Sequence, residues 1–207
     1  EAYHRVLERI NCSIEIKYQA ISMLASYLAS IKKKDEALRQ ISNYKHFFND
    51  ISNFHTNLNF TRLYARFSWA NGKTEDKENA VKILSDFILM TLSNKSNLIT
   101  SLHKDEEILD LNGLLMQYSC INVIDALDEL KDRREEKTIS ETEYNLERRK
   151  LRQECERLEK QFLPIWQNVQ NQKIDFNSFK SSAKQNIITG LYNYIDVLIR
   201  LSKMELA

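Results

Sequence analysis

The sequence predicts an all-α fold, and three observations support that class. Only three glycines and one proline occur among 207 residues, whereas the tight turns of sheet-rich folds depend on these two residue types. Apolar residues recur at three- and four-residue spacings along most of the chain, which is the period of an amphipathic helix. Apolar residues make up 43% of the chain, which is enough to bury a core. We therefore expect antiparallel helical hairpins.

Two regions are expected. Residues 1–98 are predicted to form a helical-repeat-like, solenoid-like half. Residues 99–207 are predicted to form a long, coiled-coil-like helical hairpin followed by a final packed helix. One continuous domain is the alternative interpretation.

The first region is predicted to hold five helices. Asp35 is expected to be the N-cap of the third helix, because its side chain can accept a bond from a free backbone N–H. A polar turn is expected at 49–59. The fourth helix should end at Asn71-Gly72, the pair that favours a left-handed C-cap, and Thr74 or Asp76 should begin the fifth. The predicted ranges are about 1–11, 14–33, 35–51, 60–72 and 74–93.

A heptad seam marks the second region. Its spacing of 4-3-4-3 is typical of helices that pair along a narrow stripe, and it comprises Met116, Cys120, Val123, Leu127 and Leu130. Ser140 and Glu143 form a capping box that begins the next helix. That helix continues the seam with Tyr144, Leu151, Cys155, Leu158, Phe162, Ile165 and Val169. The two seams, joined by a short polar link, predict an antiparallel hairpin.

The end of the chain is predicted to fold back as one more helix. Pro164 lacks a backbone N–H, so we expect a kink or a new helix start near Leu163. The last helix should begin at Asp175 or Asn177. Its predicted apolar face comprises Phe179, Ala183, Ile187, Leu191, Tyr194, Leu198 and Leu201.

Charge excludes a global attraction to nucleic acid or to anionic lipid. The chain carries 30 basic and 29 acidic residues, a formal net charge of +1, so any charged site must be local. Between Lys131 and Lys160, 19 of 30 residues are charged, ten of them basic. This segment is too polar for a core, and we expect it to project into water.

Cysteine usage predicts a reducing compartment. Cys12, Cys120 and Cys155 are odd in number and lie far apart, without CxxC spacing, which indicates free thiols rather than a disulfide framework. The cytoplasm is the expected location. No apolar run reaches the length of a membrane span. The chain begins without Met and already in helical pattern, so we expect a trimmed chain or a piece of a longer one.

Residues 14–92 resemble tetratricopeptide repeats. Small residues fall where two helices must approach closely, and the first helix pair carries Leu24-Ala25, Leu28, Ala37, Ile41 and Tyr44. The second pair follows a similar order with Tyr64-Ala65, Ser68, Gly72, Ala80 and Leu84. Ala37 and Ala80 are 43 positions apart rather than about 34, so irregular α-solenoids with longer repeats are equally similar. The resemblance implies a scaffold whose exposed inner helices hold a peptide or another domain.

Catalytic and cofactor motifs are mostly missing from the sequence. Phosphate-cradling loops and the GxSxG elbow need closely spaced glycines, whereas the two nearest glycines here are 41 positions apart. Metal sites need clustered ligands, but the four histidines, His4, His46, His55 and His103, are scattered. We therefore expect no cofactor, no metal and no small-molecule site.

One catalytic alternative remains open. Arg39 and His46, with six residues between them, superficially resemble the Arg-x4-6-His spacing of HEPN-type helical ribonucleases. That resemblance implies metal-independent RNA cleavage. The imidazole would act in acid–base chemistry at the ribose 2′-hydroxyl, and the guanidinium would stabilise the phosphorane charge.

The leading expectation is a non-enzymatic protein–protein interaction or scaffold module, part of a larger assembly or of a longer chain. Its partner would be another protein or a second copy, and no membrane is expected. The candidate interaction surface comprises Arg133, Arg134, Tyr144, Arg148, Arg149 and Arg152. RNA binding by the basic stripe on this surface is the second alternative.

Overall fold

The computed structural model describes residues 2–9, 11–48, 54–93, 104–171 and 175–205. Within these ranges the chain forms α-helices and no strands, which confirms the all-α prediction. The helices are α1 (Ala2–Glu8), α2 (Ile14–Ser30), α3 (Lys34–Asn43), α4 (Phe54–Asn71), α5 (Thr74–Ser93), α6 (Lys104–Glu135), α7 (Glu141–Gln170) and α8 (Ser181–Glu205). The chain divides into two compact units, Glu1–Ser93 and Asn94–Ala207.

Contacts between consecutive helices, from α1 to α5, hold the first unit together. The core formed by α1 to α4 contains Leu7, Ala20, Ile21, Leu24, Ala25, Leu28, Ala37, Ile41 and Phe60. On α5, Ala80, Leu84, Phe87, Ile88 and Thr91 are buried. Stacking of amphipathic faces at helical period therefore accounts for this unit.

Asp35 does not cap α3, contrary to the prediction. The helix begins at Lys34, and Lys33 stands at the N-cap without a side-chain hydrogen bond. Asp35 lies in the first turn, where its Oδ1 accepts hydrogen bonds from Lys73 Nζ at 2.5 Å and from Asn71 Nδ2 at 2.9 Å. These two hydrogen bonds hold the pKa of the Asp35 carboxyl below its usual value, and the bond from Lys73 has the larger effect. Asp35 therefore ties the start of α3 to the α4–α5 junction.

The polar turn predicted at 49–59 is wrong for its second half. α4 begins at Phe54 rather than at Phe60, and residues 49–53 lie outside the described part. Thr56 and Asn57 are helical and buried, so their polarity does not mark a turn here. The other end of α4 is as predicted, because Gly72 has the left-handed φ of 84° that suits a C-cap.

Among the described helices of the second unit, α6 and α8 share the most extensive interface. The backbone N–H of Lys180 donates to Glu106 Oε1 at 2.7 Å. Asn186 Nδ2 donates to Asp110 Oδ1 at 2.6 Å. Farther along, Arg200 pairs with Asp128. Residue numbers rise together along both helices, so α8 runs parallel to α6.

Most predicted seam positions whose side chains are described are buried, and Leu151 is half-buried. Met116, Cys120, Val123, Leu127 and Leu130 on α6 are buried, as are Tyr144, Cys155 and Leu158 on α7. The side chains of Phe162, Ile165 and Val169 lie outside the described part. The capping box is also present, because Glu143 N donates to Ser140 Oγ at 3.3 Å and Ser140 N donates to Glu143 Oε2 at 3.1 Å.

Two segments near the end of the chain bear on the predictions. α7 continues through Pro164 to Gln170, so no new helix begins near Leu163, and the kink expected there as the alternative stays a prediction. The hydrogen bond lost at Pro164 would reach the carbonyl of Lys160, an exposed residue, where water can replace it. α8 begins at Ser181, because Asp175 caps a separate 3-10 turn, Phe176–Ser178, by accepting from Asn177 N at 2.9 Å.

Candidate interaction surface

A second apolar face runs along α8. Ile188, Tyr192, Ile195 and Ile199 are 52%, 73%, 54% and 45% exposed, and they follow one another at spacings of four, three and four residues. Residues at these spacings share one side of a helix. We call these four residues the α8 stripe.

The stripe lies opposite the face of α8 that packs on α6. That buried face includes Ala183, Ile187, Gly190, Val197 and Leu201. Large apolar residues therefore stand on both sides of the same helix. A helix of this kind is typically covered on both sides, but none of the residues that the structure describes covers the stripe.

Charge is absent along the stripe. Gln185 precedes it by three residues and Ser202 follows it by three, and both are exposed and neutral. Two nearby charges on α8, Asp196 and Arg200, pair with each other at 3.0 Å. The hydrogen bond that Arg200 Nε donates to Asp196 Oδ2 is the main cause that raises the pKa of Arg200. The stripe therefore offers apolar contact without an electrostatic preference.

A shallow groove of about 160 Å³ lies beside the stripe, between α7 and α8. Its walls are formed by Arg152, Cys155, Glu156, Glu159, Tyr194, Leu198, Leu201 and Ser202. Leu198 is 44% exposed and lies between the stripe and the groove, one residue before Ile199. The groove therefore extends the apolar surface toward a polar wall on α7.

Burial raises the pKa of two of the titratable groups that line the groove. Burial, followed by a hydrogen bond with Glu159, raises the pKa of Tyr194. Burial raises the pKa of Cys155 to about 11. Both groups are therefore neutral at physiological pH, which makes them packing groups rather than nucleophiles or bases.

The residues of the surface predicted from the sequence have different environments in the structure. Arg133 NH1 pairs with Glu147 Oε2 at 3.1 Å, and Arg134 NH2 pairs with Glu141 Oε2 at 3.7 Å. Both guanidinium groups therefore brace the turn between α6 and α7. Such exposed pairs contribute little stability.

Tyr144 cannot serve as an exposed aromatic contact, and its place in the predicted surface is wrong. Its ring is only 3% exposed, and the Arg134 guanidinium lies over it at 4.4 Å from the ring centroid. The seam position of Tyr144 explains this burial. Among the remaining members, Arg149 and Arg152 are exposed and Arg148 is half-buried, and Arg152 contributes to the groove.

The residues of the ribonuclease alternative have separate partners. Arg39 lies on α3, with its NH2 3.9 Å from Glu36 Oε1. His46 lies in the 3-10 turn Lys45–Phe48, where its Nδ1 is 3.1 Å from the carbonyl oxygen of Asn43.

The two other described histidines have different neighbours. His4 Nδ1 lies 3.3 Å from the Tyr44 hydroxyl, and the His55 ring meets the edge of Phe54. His103 lies outside the described residues. Among the residues that the structure describes, no group of three His, Cys, Asp or Glu side chains could hold a metal ion.

Other surface features of the first unit are less continuous than the α8 stripe. Ile16, Met23 and Tyr27 on α2 and Ile31 at its C-cap are exposed, but the first two are seven positions apart, with an exposed Gln19 between them. A cavity of about 210 Å³ is lined by Lys45, Phe60, Thr61, Ile83, Asp86, Phe87 and Met90. Its single cation and single carboxylate do not make a catalytic cluster.

Sequence reasoning missed the α8 stripe, although its 4-3-4 spacing is present in the sequence. The prediction assigned one apolar face to the last helix and included Leu198 in it, whereas Leu198 is substantially exposed. In the described part of the chain, no helix has the length and apolar character needed to cross a membrane. No family model, curated protein or solved structure matches this chain.

Proposed function

We propose that the chain is a non-enzymatic protein-interaction module, which docks another protein or a second copy through the α8 stripe. The observation that carries this proposal is the exposure of four large apolar side chains along one side of a single helix. Single exposed apolar residues are normal on protein surfaces, whereas contiguous apolar patches are typical of interaction sites.

An amphipathic helix is the partner element that fits this surface. Apolar side chains at a spacing of three and four residues on such a helix would interleave with those of the stripe. Arg152, Glu156 and Glu159 line the α7 wall of the groove and would provide a polar rim. Interfaces with an apolar centre and a polar rim are common among specific complexes.

We also propose that the first unit is an irregular α-solenoid. Contacts between α2 and α3, and between α4 and α5, support this proposal. Four small residues at the expected positions, Ala25, Ala37, Ala65 and Ala80, are fully buried, as close helix approach requires. The unit would then act as a scaffold within a larger assembly or a longer chain.

A reducing compartment such as the cytoplasm is the proposed location. Cys12, Cys120 and Cys155 are all free thiols. Proteins exposed to oxidising compartments tend to carry paired cysteines.

Affinity capture of the tagged chain from a native lysate tests this function. Three baits are compared, with and without ribonuclease: the wild type, Ile195→Lys in the stripe, and Leu146→Lys as a matched control. Leu146 lies on α7 with an exposure of 53%, close to the 54% of Ile195.

The proposal expects a stoichiometric protein partner that resists ribonuclease, remains with Leu146→Lys and is lost with Ile195→Lys. Equal recovery with all three baits would contradict the role of the stripe. Partners that disappear on ribonuclease treatment would instead favour RNA binding and direct mutagenesis to Arg148, Arg149 and Arg152.

A further inference from the structure

We infer that the partner of the α8 stripe is a second copy of this chain, paired antiparallel about a twofold axis. This inference rests on the proposed function, because it names the occupant of the same surface. It is carried by the symmetry of the stripe, its lack of charge and its area.

The spacing of the stripe is the same in both directions. An interface about a twofold axis uses one surface patch twice, so that patch must be complementary to itself. The 4-3-4 order meets this condition when two α8 helices run antiparallel. Ile188 then lies opposite Ile199 of the second copy, and Tyr192 lies opposite Ile195 of the second copy. The axis falls level with Asn193 and Tyr194.

The residues beyond the four members fit the same register. Gln185 lies opposite Ser202 of the second copy, and both side chains are neutral and exposed. Lys184, the nearest cation before the stripe, turns away, because its Nζ donates to the carbonyl oxygen of Asn177 at 2.7 Å. Self-pairing of these six residues, the four stripe members with Gln185 and Ser202, therefore buries no charge, which would be costly if unpaired. A strongly charged partner helix would find no complementary charges on the stripe.

The exposed area matches a dimer of modest affinity. Fully exposed side chains of this size present on the order of 150 to 200 Å² each, so the stripe and Leu198 leave roughly 500 Å² uncovered per copy. Two copies would bury on the order of 1,000 Å², the lower limit for a specific interface. The dimer is therefore expected to be in a concentration-dependent equilibrium with the monomer.

The register can be tested with two oppositely charged variants, Tyr192→Glu and Ile195→Lys. Each variant places a charge against an apolar residue of its own second copy. When the two variants are mixed, the register brings the introduced carboxylate opposite the introduced ammonium at one contact. The other contact of the mixed dimer keeps the native Tyr192 and Ile195. Mass is measured by sedimentation equilibrium over a wide concentration range, with Leu146→Lys as the control.

The wild type and Leu146→Lys should approach twice the monomer mass as concentration rises. Each charged variant alone should raise the dissociation constant at least about tenfold, and an equimolar mixture should recover most of the dimer. Circular dichroism of each variant verifies the helical fold, and recovery in the mixture cannot arise from misfolded chains.

A wild type that stays monomeric throughout would overturn the inference, as would charged variants whose mixture fails to recover the dimer. The lysate capture separates this result from failure of the proposed function. If the chain is monomeric but Ile195→Lys loses another captured protein, the stripe keeps its function and only the second copy is wrong. If Ile195→Lys changes neither mass nor capture, both proposals fail.

Discussion

Gly113 on α6 and Gly190 on α8 meet where the two helices cross. A Cβ atom placed on Gly190 would lie 2.6 Å from the carbonyl oxygen of Gly113, and one placed on Gly113 would lie 2.7 Å from the backbone nitrogen of Ile187. These distances are shorter than any real Cβ contact, and the opposing atoms are backbone. The crossing therefore requires glycine on both helices.

Replacing either glycine by alanine should force the helices apart. Overpacking of this kind costs about 1 to 3 kcal/mol, which exceeds the gain of up to about 1 kcal/mol that alanine brings to a helix interior. We expect Gly113→Ala and Gly190→Ala to lower the free energy of unfolding, measured by urea denaturation. Gly72→Asn is the control, because a side chain at Gly72 meets open space and Asn tolerates its positive φ. Unchanged stability in both alanine variants would contradict this view of the crossing.

The three thiols should differ sharply in reactivity. Burial raises the pKa of Cys120 to about 12 and that of Cys155 to about 11, so neither forms a reactive thiolate at pH 8. Cys12 is only partly buried. We expect a chromogenic disulfide reagent to modify one thiol rapidly in the native protein and three in denaturant. Cys12→Ser should abolish the rapid phase, and a second rapid equivalent in the native protein would contradict the burial of the seam cysteines.

The capping box should make stability depend on pH. The hydrogen bond from the Ser140 side chain, followed by that from the Ser140 backbone, holds the pKa of Glu143 below its usual 4.5. A carboxyl group whose pKa is lower in the folded state than in the unfolded state stabilises the fold at any pH above its unfolded-state pKa. That stabilisation is lost as the pH falls through the pKa of the folded state. The difference in unfolding free energy between the wild type and Glu143→Gln should therefore be largest near pH 7. It should shrink once the pH drops below about 4.5.

A double-mutant cycle isolates this interaction. Ser140→Ala alone should cost about 1 kcal/mol, the usual loss for an N-cap serine. In the Ser140→Ala background, Glu143→Gln should have a smaller effect at pH 7 than in the wild type. Equal effects in the two backgrounds would show that the two residues are not coupled.

The chain is expected not to cleave RNA. The proposed function is non-enzymatic, and in the structure Arg39 lies beside Glu36 while His46 lies beside the Asn43 carbonyl. Several fluorescent RNAs, incubated with the wild type, Arg39→Ala and His46→Ala in a metal chelator, should remain intact. Cleavage by the wild type that disappears in His46→Ala would establish the ribonuclease instead.

The spacing of apolar residues predicted the helices well, whereas the positions of polar residues predicted the helix ends less well. The seam positions Met116 to Leu130 are buried as expected, because a 4-3-4-3 pattern directly reflects which side of a helix meets a partner. Asp35 and the 49–59 turn were less predictable. A polar side chain can serve as a cap, a turn former or a partner in a distant hydrogen bond, and only the tertiary structure selects among them.

The pairing of α6 with α8 could not be predicted from the sequence, for a different reason. Apolar spacing shows that a helix has a buried face but does not say which other helix covers it. Gly113 and Gly190 are isolated glycines in helical segments. Each is explained only by its close approach to the other helix, and the two lie 77 positions apart in the sequence. The candidate site was likewise only partly predictable: Arg152 lies in the groove, whereas burial removes Tyr144 from the surface.

The parallel arrangement of α6 and α8 also determines when the second unit can be completed during synthesis. At roughly 5 to 20 residues per second, the ribosome needs about 4 to 15 seconds to travel from Gly113 to Gly190. Helices form within microseconds, so α6 is ready long before α8 exists. During that interval the side chains of α6 that will later pack against α8, such as Leu109, remain open to water, to chaperones and to neighbouring nascent chains. The apolar face of α6 is therefore exposed to aggregation for seconds in every round of translation.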